Sequence, residues 1–77
     1  MSECNVDHSV EDVKGKLHQQ KQHLPEGMTE RLLQFMEQDH TQEILNEIFH
    51  LLKKYDLADE QEKTARNKRF QILLANL

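Results

Sequence analysis

The chain has 77 residues, a formal charge of −4, 36% apolar residues and 31% charged residues, which limits it to one small domain with large polar faces. Its single cysteine, Cys4, excludes a disulfide within the chain and lies beside no base that could activate it as a nucleophile. The N-terminal residues have no signal-peptide pattern, and no apolar run approaches the ~18 residues that span a bilayer, so we expect a cytoplasmic protein without a membrane partner.

The first predicted helix covers residues 10 to 23 and follows a flexible segment, residues 1 to 8. Ser9 is a good N-cap, and Asp12 three positions later completes an approximate capping box. Apolar residues recur along this helix at alternating intervals of four and three residues and form a narrow apolar seam with one polar member, Gln20. Its members are Val6, Val10, Val13, Leu17, Gln20 and Leu24. A seam this narrow packs against one helix or into the groove between two helices.

The second predicted helix covers residues 29 to 38 and begins after a break at Pro25. Proline cannot continue a helix, and it favours an extended conformation in the residue before it. Thr29 is the predicted cap, and Pro25 at a first helical position is the alternative start. One side of this helix is apolar, with Met28, Leu32, Phe35 and Met36.

The third predicted helix, residues 41 to 55, has the broadest apolar stripe and should form the centre of the core. Asp39 or Thr41 can cap its start. A fourth helix begins after the capping residue Asp59, which precedes several acidic residues, and it runs to about residue 75.

These elements predict an all-α fold, a small antiparallel bundle of three to four helices that forms a single domain, residues 1 to 77. Apolar residues recur at intervals of three and four, without the alternation that is typical of a strand. We expect the third and fourth helices to form the main hairpin, with Leu57 packed beneath the turn between them.

The apolar arc of the fourth helix is about 200° wide, which is more than one neighbouring helix covers. We therefore predict that a second copy completes the core and that the chain forms a homodimer. The predicted interface consists of Phe70, Leu73, Leu74, Leu77, Arg66 and Arg69. The alternative is that these apolar residues pack inside a single chain, as apolar helical stripes usually do.

Four basic residues crowd the same helix: Lys63, Arg66, Lys68 and Arg69. On a helical wheel Arg66 and Arg69 fall within the apolar arc, whereas Lys68 lies on the opposite side. The two arginines can extend along the bundle surface, pair with carboxylates of a neighbouring helix, or bind an acidic partner. Nucleic acid is one such partner, although the net negative charge and the lack of interleaved aromatic residues disfavour it.

The remaining polar residues match no strong catalytic or metal-binding pattern. Glu47 and His50 have the Glu-x-x-His spacing of carboxylate-bridged metal sites, but they point away from the apolar stripe, and such ligands must face inward. His18 and His23 are five positions apart and do not share a helix face. We expect no metal, no cofactor and no enzymatic activity.

The sequence therefore predicts a non-enzymatic protein–protein interaction or regulatory module that associates with itself or with another protein through apolar helix faces. Leucine and phenylalanine side chains of the last two helices would supply the binding energy, and Arg66 and Arg69 would tune specificity. The alternative is a nucleic-acid-associated regulator that uses the basic residues of the last helix.

Overall fold

Four α-helices separated by short turns make up the protein in the computed structural model, which describes residues 7–75. The elements are α1 (Val10–Gln20), a 3-10 turn (Lys21–His23), α2 (Met28–Met36), α3 (Gln42–Leu52), a second 3-10 turn (Tyr55–Leu57) and α4 (Glu60–Leu74). The described residues contain no strand, which confirms the predicted all-α class. No helix in this part of the chain is long and apolar enough to cross a membrane.

The start of α1 is set by the predicted capping box. The Asp12 backbone N–H donates to the Ser9 hydroxyl at 3.0 Å, and the Ser9 N–H donates to the Asp12 carboxylate at 3.2 Å. The α-helix ends at Gln20, earlier than predicted, and the next three residues tighten into the 3-10 turn. Leu24 then adopts an extended backbone with a ψ of 155°, as the following proline requires.

The start of α2 is set by backbone geometry, so the predicted starts at Thr29 and Pro25 are wrong. Gly27 precedes the helix with a left-handed backbone, φ 84°, which glycine adopts without steric cost. The Met28 N–H donates to the Pro25 carbonyl at 3.0 Å and closes the preceding turn. The helix ends at Met36, two residues before the predicted end.

Side-chain caps set the starts of α3 and α4. Thr41, one of the two predicted caps, and Asp59 each accept a hydrogen bond from the backbone N–H three residues further on, at 3.2 Å and 2.8 Å. The end of α3 is at Leu52 and not at residue 55. Lys54 adopts a left-handed backbone with a φ of 58°, and an α-helix cannot continue through that conformation.

The core draws apolar side chains from all four helices. Its buried members are Val13, Leu17, Leu24, Met28, Leu32, Phe35, Met36, Leu45, Ile48, Leu52, Tyr55, Phe70, Leu73 and Leu74. α1 packs more extensively against α3 than α4 does, so the most extensive helix pair is α1 with α3 and not the predicted hairpin of α3 and α4. The physical reason is that α4 divides its packing between α2 and α3, whereas α1 packs mostly on α3 and less on α2.

Leu57 does not pack beneath the turn as the sequence predicted. Its side chain is 75% exposed, whereas Tyr55 in the same 3-10 turn is 1% exposed. Successive residues of a 3-10 turn point in different directions, so the turn that buries Tyr55 aims Leu57 at solvent.

Candidate interaction surface

Arg69 is paired with a carboxylate of a neighbouring helix, one of the three alternatives predicted for it. Its guanidinium donates to both oxygens of Glu47 on α3, from Nη2 to Oε1 at 3.0 Å and from Nε to Oε2. The hydrogen bond from Arg69 lowers the pKa of the Glu47 carboxyl, and the same contact raises the pKa of Arg69. Both side chains stay partly exposed, so the pair orients α4 on α3 more than it stabilises the fold.

Arg66 caps the C-terminal end of α3. Its Nη1 donates to the carbonyl oxygens of Leu51 at 3.1 Å and Lys53 at 2.9 Å. Its Nε donates to the carboxylate of Glu62 on the same helix at 2.8 Å. The last carbonyls of α3 carry the negative end of the helix dipole, so a guanidinium is favourable there. Arg66 therefore lies along the bundle surface with its head group engaged.

The four basic residues of α4 point in different directions. Arg66 and Arg69 are bound to carboxylates, as described above. Lys63 holds its ammonium 5.6 Å from the ring centroid of Tyr55, a cation–π distance. Lys68 is exposed. The charge of this cluster is therefore only partly available to a polyanion.

The residues predicted for an apolar interface lie inside the chain. Phe70, Leu73 and Leu74 are 0%, 8% and 2% exposed and belong to the common core. Leu77 lies outside the described residues. Their burial matches the alternative prediction, in which the apolar stripe of α4 packs inside a single chain. Among residues 7–75, the large apolar side chains left exposed are Leu57 at 75% and Ile72 at 56%.

The turn that carries Leu57 is anchored by α1 and α4. The Gln20 amide nitrogen donates to the Asp56 carboxylate, and the Gln20 amide oxygen accepts from the Asp56 backbone N–H, both at 3.0 Å. The bond from Gln20 lowers the pKa of the Asp56 carboxyl. On the other side of the turn, the Tyr55 hydroxyl donates to Asn67 on α4 at 2.6 Å. Leu57 is therefore presented on a fixed backbone.

His8 anchors the N-terminal segment on α3. Its backbone N–H donates to Asn46 Oδ1 at 2.9 Å, and its carbonyl accepts from Gln42 Nε2 at 2.7 Å. Its ring stacks on Phe49 with the two ring centroids 3.6 Å apart. The segment predicted to be flexible thus ends in a docked residue, and its first six residues lie outside the described part of the chain.

An open groove of about 470 Å³, which we call the α1 groove, runs along α1 beside Phe49. Gly15 lies on the α1 side of this groove. Lys16 borders it as well, with Nζ 5.3 Å from the Phe49 ring centroid, and the same ammonium donates to Gln19 Oε1 at 3.1 Å. The α1 groove is therefore a mixed surface with an aromatic wall and polar borders.

The residues considered for a metal site have other partners. Glu47 is bound to Arg69, whereas His50 is exposed and contacts the ring of His8 edge on, with centroids 5.5 Å apart. Cys4 lies outside the described residues. Across residues 7–75 no three His, Cys, Asp or Glu side chains are placed so that they could hold a metal ion.

Sequence reasoning missed the contacts of His8 and Gln20. Gln20 had a visible signal, because it is the single polar member of the apolar seam of α1 and is itself buried. His8 had none, since its partner Asn46 lies 38 positions away in the sequence.

Comparison with known proteins gives no assignment. No family model, no curated protein and no solved structure matches the chain. The functional inference therefore rests on the contacts described above.

Proposed function

We propose that the protein is a non-enzymatic protein–protein interaction module with Leu57 at the centre of its contact surface. The observation that carries this proposal is the 75% exposure of a leucine on a backbone fixed by hydrogen bonds from α1 and α4. Burying such a side chain in a partner stabilises the complex by about 1.5–3 kcal/mol. A fixed backbone loses little further entropy on binding, so more of that energy appears as affinity.

Exposed charges of opposite sign flank Leu57 along the chain. Lys53 and Lys54 precede the turn, and Asp56 and Asp59 lie within and after it. A polar rim of this kind contributes orientation and specificity more than affinity. The matching partner would offer an apolar pocket for the leucine, with acidic groups towards the lysines and basic groups towards the aspartates.

Self-association is part of the proposal, with a homodimer in the cytoplasm as the expected form. Phe70, Leu73 and Leu74 already fill the core, so a second copy would contact surface outside that stripe. A single core in so small a chain supplies only roughly 3–5 kcal/mol. Association of folded copies would add to this stability by mass action.

The test compares Leu57→Asp with Gln61→Asp, which adds the same charge at an exposed position of α4. Both variants should unfold in denaturant much like the wild type, because both positions are exposed. Leu57→Asp should weaken the binding of a partner protein by at least ~10-fold, while Gln61→Asp should leave that binding unchanged. A Leu57→Asp chain that binds the partner protein as tightly as the wild type would show the Leu57 contact to be wrong.

A nucleic-acid-associated regulator is the second candidate, because Lys63 and Lys68 have no carboxylate partner within the described residues. Binding through these side chains would weaken steeply as salt is raised and on Lys68→Ala. An apolar contact at Leu57 would persist in the same salt, since only charges are screened. A salt titration of the bound fraction therefore separates the two candidates.

A further inference from the structure

Gly15 lies in the middle of α1 although nothing inside the chain requires a glycine there. A Cβ placed on this residue meets no atom within 4 Å, and the backbone is regular α-helix. Glycine destabilises a helix interior relative to alanine. Its compensating property is that another backbone can approach it closely. The position therefore makes physical sense if a contact comes from outside the chain.

The imidazole of His8 gives a second, independent indication at the same face. The residue is 9% exposed and lines the α1 groove, yet neither ring nitrogen makes a hydrogen bond to any residue between 7 and 75. Its backbone groups, in contrast, are both satisfied by α3. Buried polar groups are nearly always hydrogen-bonded, so the imidazole would gain from a partner that reaches it through the α1 groove.

The face of α1 that contains Gly15, which we call the α1 outer face, has two halves of different chemistry. Around the glycine, its members on α1 recur at helical spacing: Glu11, Asp12, His18 and Gln19. His8 precedes the helix and Gln22 lies in the 3-10 turn after it, each seven positions from Gly15. The N-terminal half is acidic, through the exposed Glu11 and Asp12. The C-terminal half carries N–H donors, through the exposed His18 and Gln19.

We propose that α1 of a second copy packs antiparallel across the α1 outer face, with Gly15 of both copies at the crossing. In this arrangement residues at equal distances on opposite sides of the glycine meet. Glu11 faces Gln19 of the second copy, and Asp12 faces His18 of the second copy. The acidic half of each helix thus meets the donor half of the other, and two-fold symmetry makes every contact twice. A parallel pair would instead place acids against acids.

Contacts within one chain already orient part of this interface. The Gln19 amide oxygen accepts from Lys16 at 3.1 Å, which leaves the amide nitrogen to donate to Glu11 of the second copy. In the same register, Gln22 reaches the His8 imidazole of the second copy. Antiparallel helix dipoles are also mutually favourable. The α1 outer face is therefore complementary to itself, which favours a second copy over an unrelated partner.

This contact rests on the proposed self-association and names a surface for it. It differs from the Leu57 contact, because Leu57 does not line the α1 groove. The two surfaces can therefore be broken one at a time.

The first experiment compares Gly15→Gln with Ala65→Gln, which introduces the same side chain at an exposed position of α4. In dilute protein, Gly15→Gln should raise the midpoint of thermal unfolding by about 2–6 °C, because glutamine is the better helix former and the surrounding space is open. In sedimentation over a wide concentration range, the same variant should weaken the dimer at least ~10-fold. Ala65→Gln should associate like the wild type.

The possible outcomes distinguish a failure of the proposed α1 contact from a failure of the proposed self-association. Loss of the dimer in a chain that has become more stable would support the α1 contact and cannot be attributed to unfolding. Equal association of the wild type and Gly15→Gln would overturn the α1 contact and leave self-association standing. A wild-type chain that stays monomeric at every concentration would overturn both.

A second experiment uses the two-fold geometry directly. In a Cys4→Ser background, Gly15→Cys places two thiols at the crossing point, within the range of Cα separations that a disulfide bridges. A mild added oxidant should then convert this variant into a covalent dimer, while Ala65→Cys in the same background should remain monomeric. Equal cross-linking of the two variants, or none at residue 15, would contradict the antiparallel crossing.

Discussion

The contact between α1 and α3 and the contact between α3 and α4 depend on different forces. α1 lies on α3 through side chains with almost no exposed surface, such as Leu17 and Ile48. α4 is attached to α3 by guanidinium groups as well, because Arg69 binds Glu47 and Arg66 caps the end of α3. Apolar burial is strong but non-directional, whereas exposed ion pairs are weak and directional. We infer that α1 holds the fold together and that the arginines set the register of α4.

The largest loss of stability is expected from a substitution in the apolar contact between α1 and α3. Leu17→Ala should lower the free energy of unfolding by about 3 kcal/mol, because it removes buried methyl groups and leaves a cavity between α1 and α3. In so small a domain this loss should leave much of the protein unfolded. Urea unfolding followed by circular dichroism measures it. Gln34→Ala, at an exposed position of α2, is the control and should change stability by less than ~0.5 kcal/mol.

A smaller loss is expected from the polar bond between α1 and the turn before α4. Gln20→Ala removes a buried amide and should lower the free energy of unfolding by about 1–2 kcal/mol. Gln71→Ala is a matched control, because that amide is exposed on α4. Equal stability of the two variants in urea would mean that Gln20 does not anchor the turn.

The smallest loss of stability is expected from a substitution in the ion pair between α3 and α4. Glu47→Gln should lower the free energy of unfolding at neutral pH by less than about 1 kcal/mol, because the pair with Arg69 is partly exposed. The matched control is Glu43→Gln, at an exposed position of the same helix. A loss as large as that of Leu17→Ala would contradict the division of roles between the two contacts.

The same pair also has a defined pH dependence. The folded pKa of Glu47 is lowered, so its contact with Arg69 stabilises the protein above the unfolded pKa and is lost as pH falls through the folded pKa. The difference in stability between the wild type and Glu47→Gln should therefore be present at neutral pH and close as the pH falls through the lowered folded pKa of Glu47. A difference that is constant with pH would mean that the carboxylate charge does not contribute.

Helix starts could be predicted where the cap is local. Ser9, Thr41 and Asp59 each bind a backbone N–H three residues further on, so the residues that predict the helix start lie next to it in the sequence. The start of α2 depends on the left-handed backbone of Gly27 and on the turn that precedes it. That geometry has no side-chain signature, and the hydroxyl of Thr29 suggested a start one residue too late.

The exposure of individual leucines could not be predicted, because leucines of identical chemistry differ only in what surrounds them. Leu73 is buried in the common core, while Leu57 is exposed in a 3-10 turn whose residue Asp56 is bound by Gln20, 36 positions away in the sequence. For Arg69 the alternatives could be enumerated from the wheel. Choosing among them required the register of two helices, which only the assembled fold defines.

Side-chain footprinting of the dilute monomer tests the central claim most directly. Carbene labelling with mass spectrometry reports the exposure of each apolar side chain. We predict strong labelling of Leu57 and protection of Phe70 and Leu73 in the monomer. Labelling of Leu73 as strong as that of Leu57, with protection only in concentrated protein, would contradict this placement and would mean that the stripe of α4 is an interface.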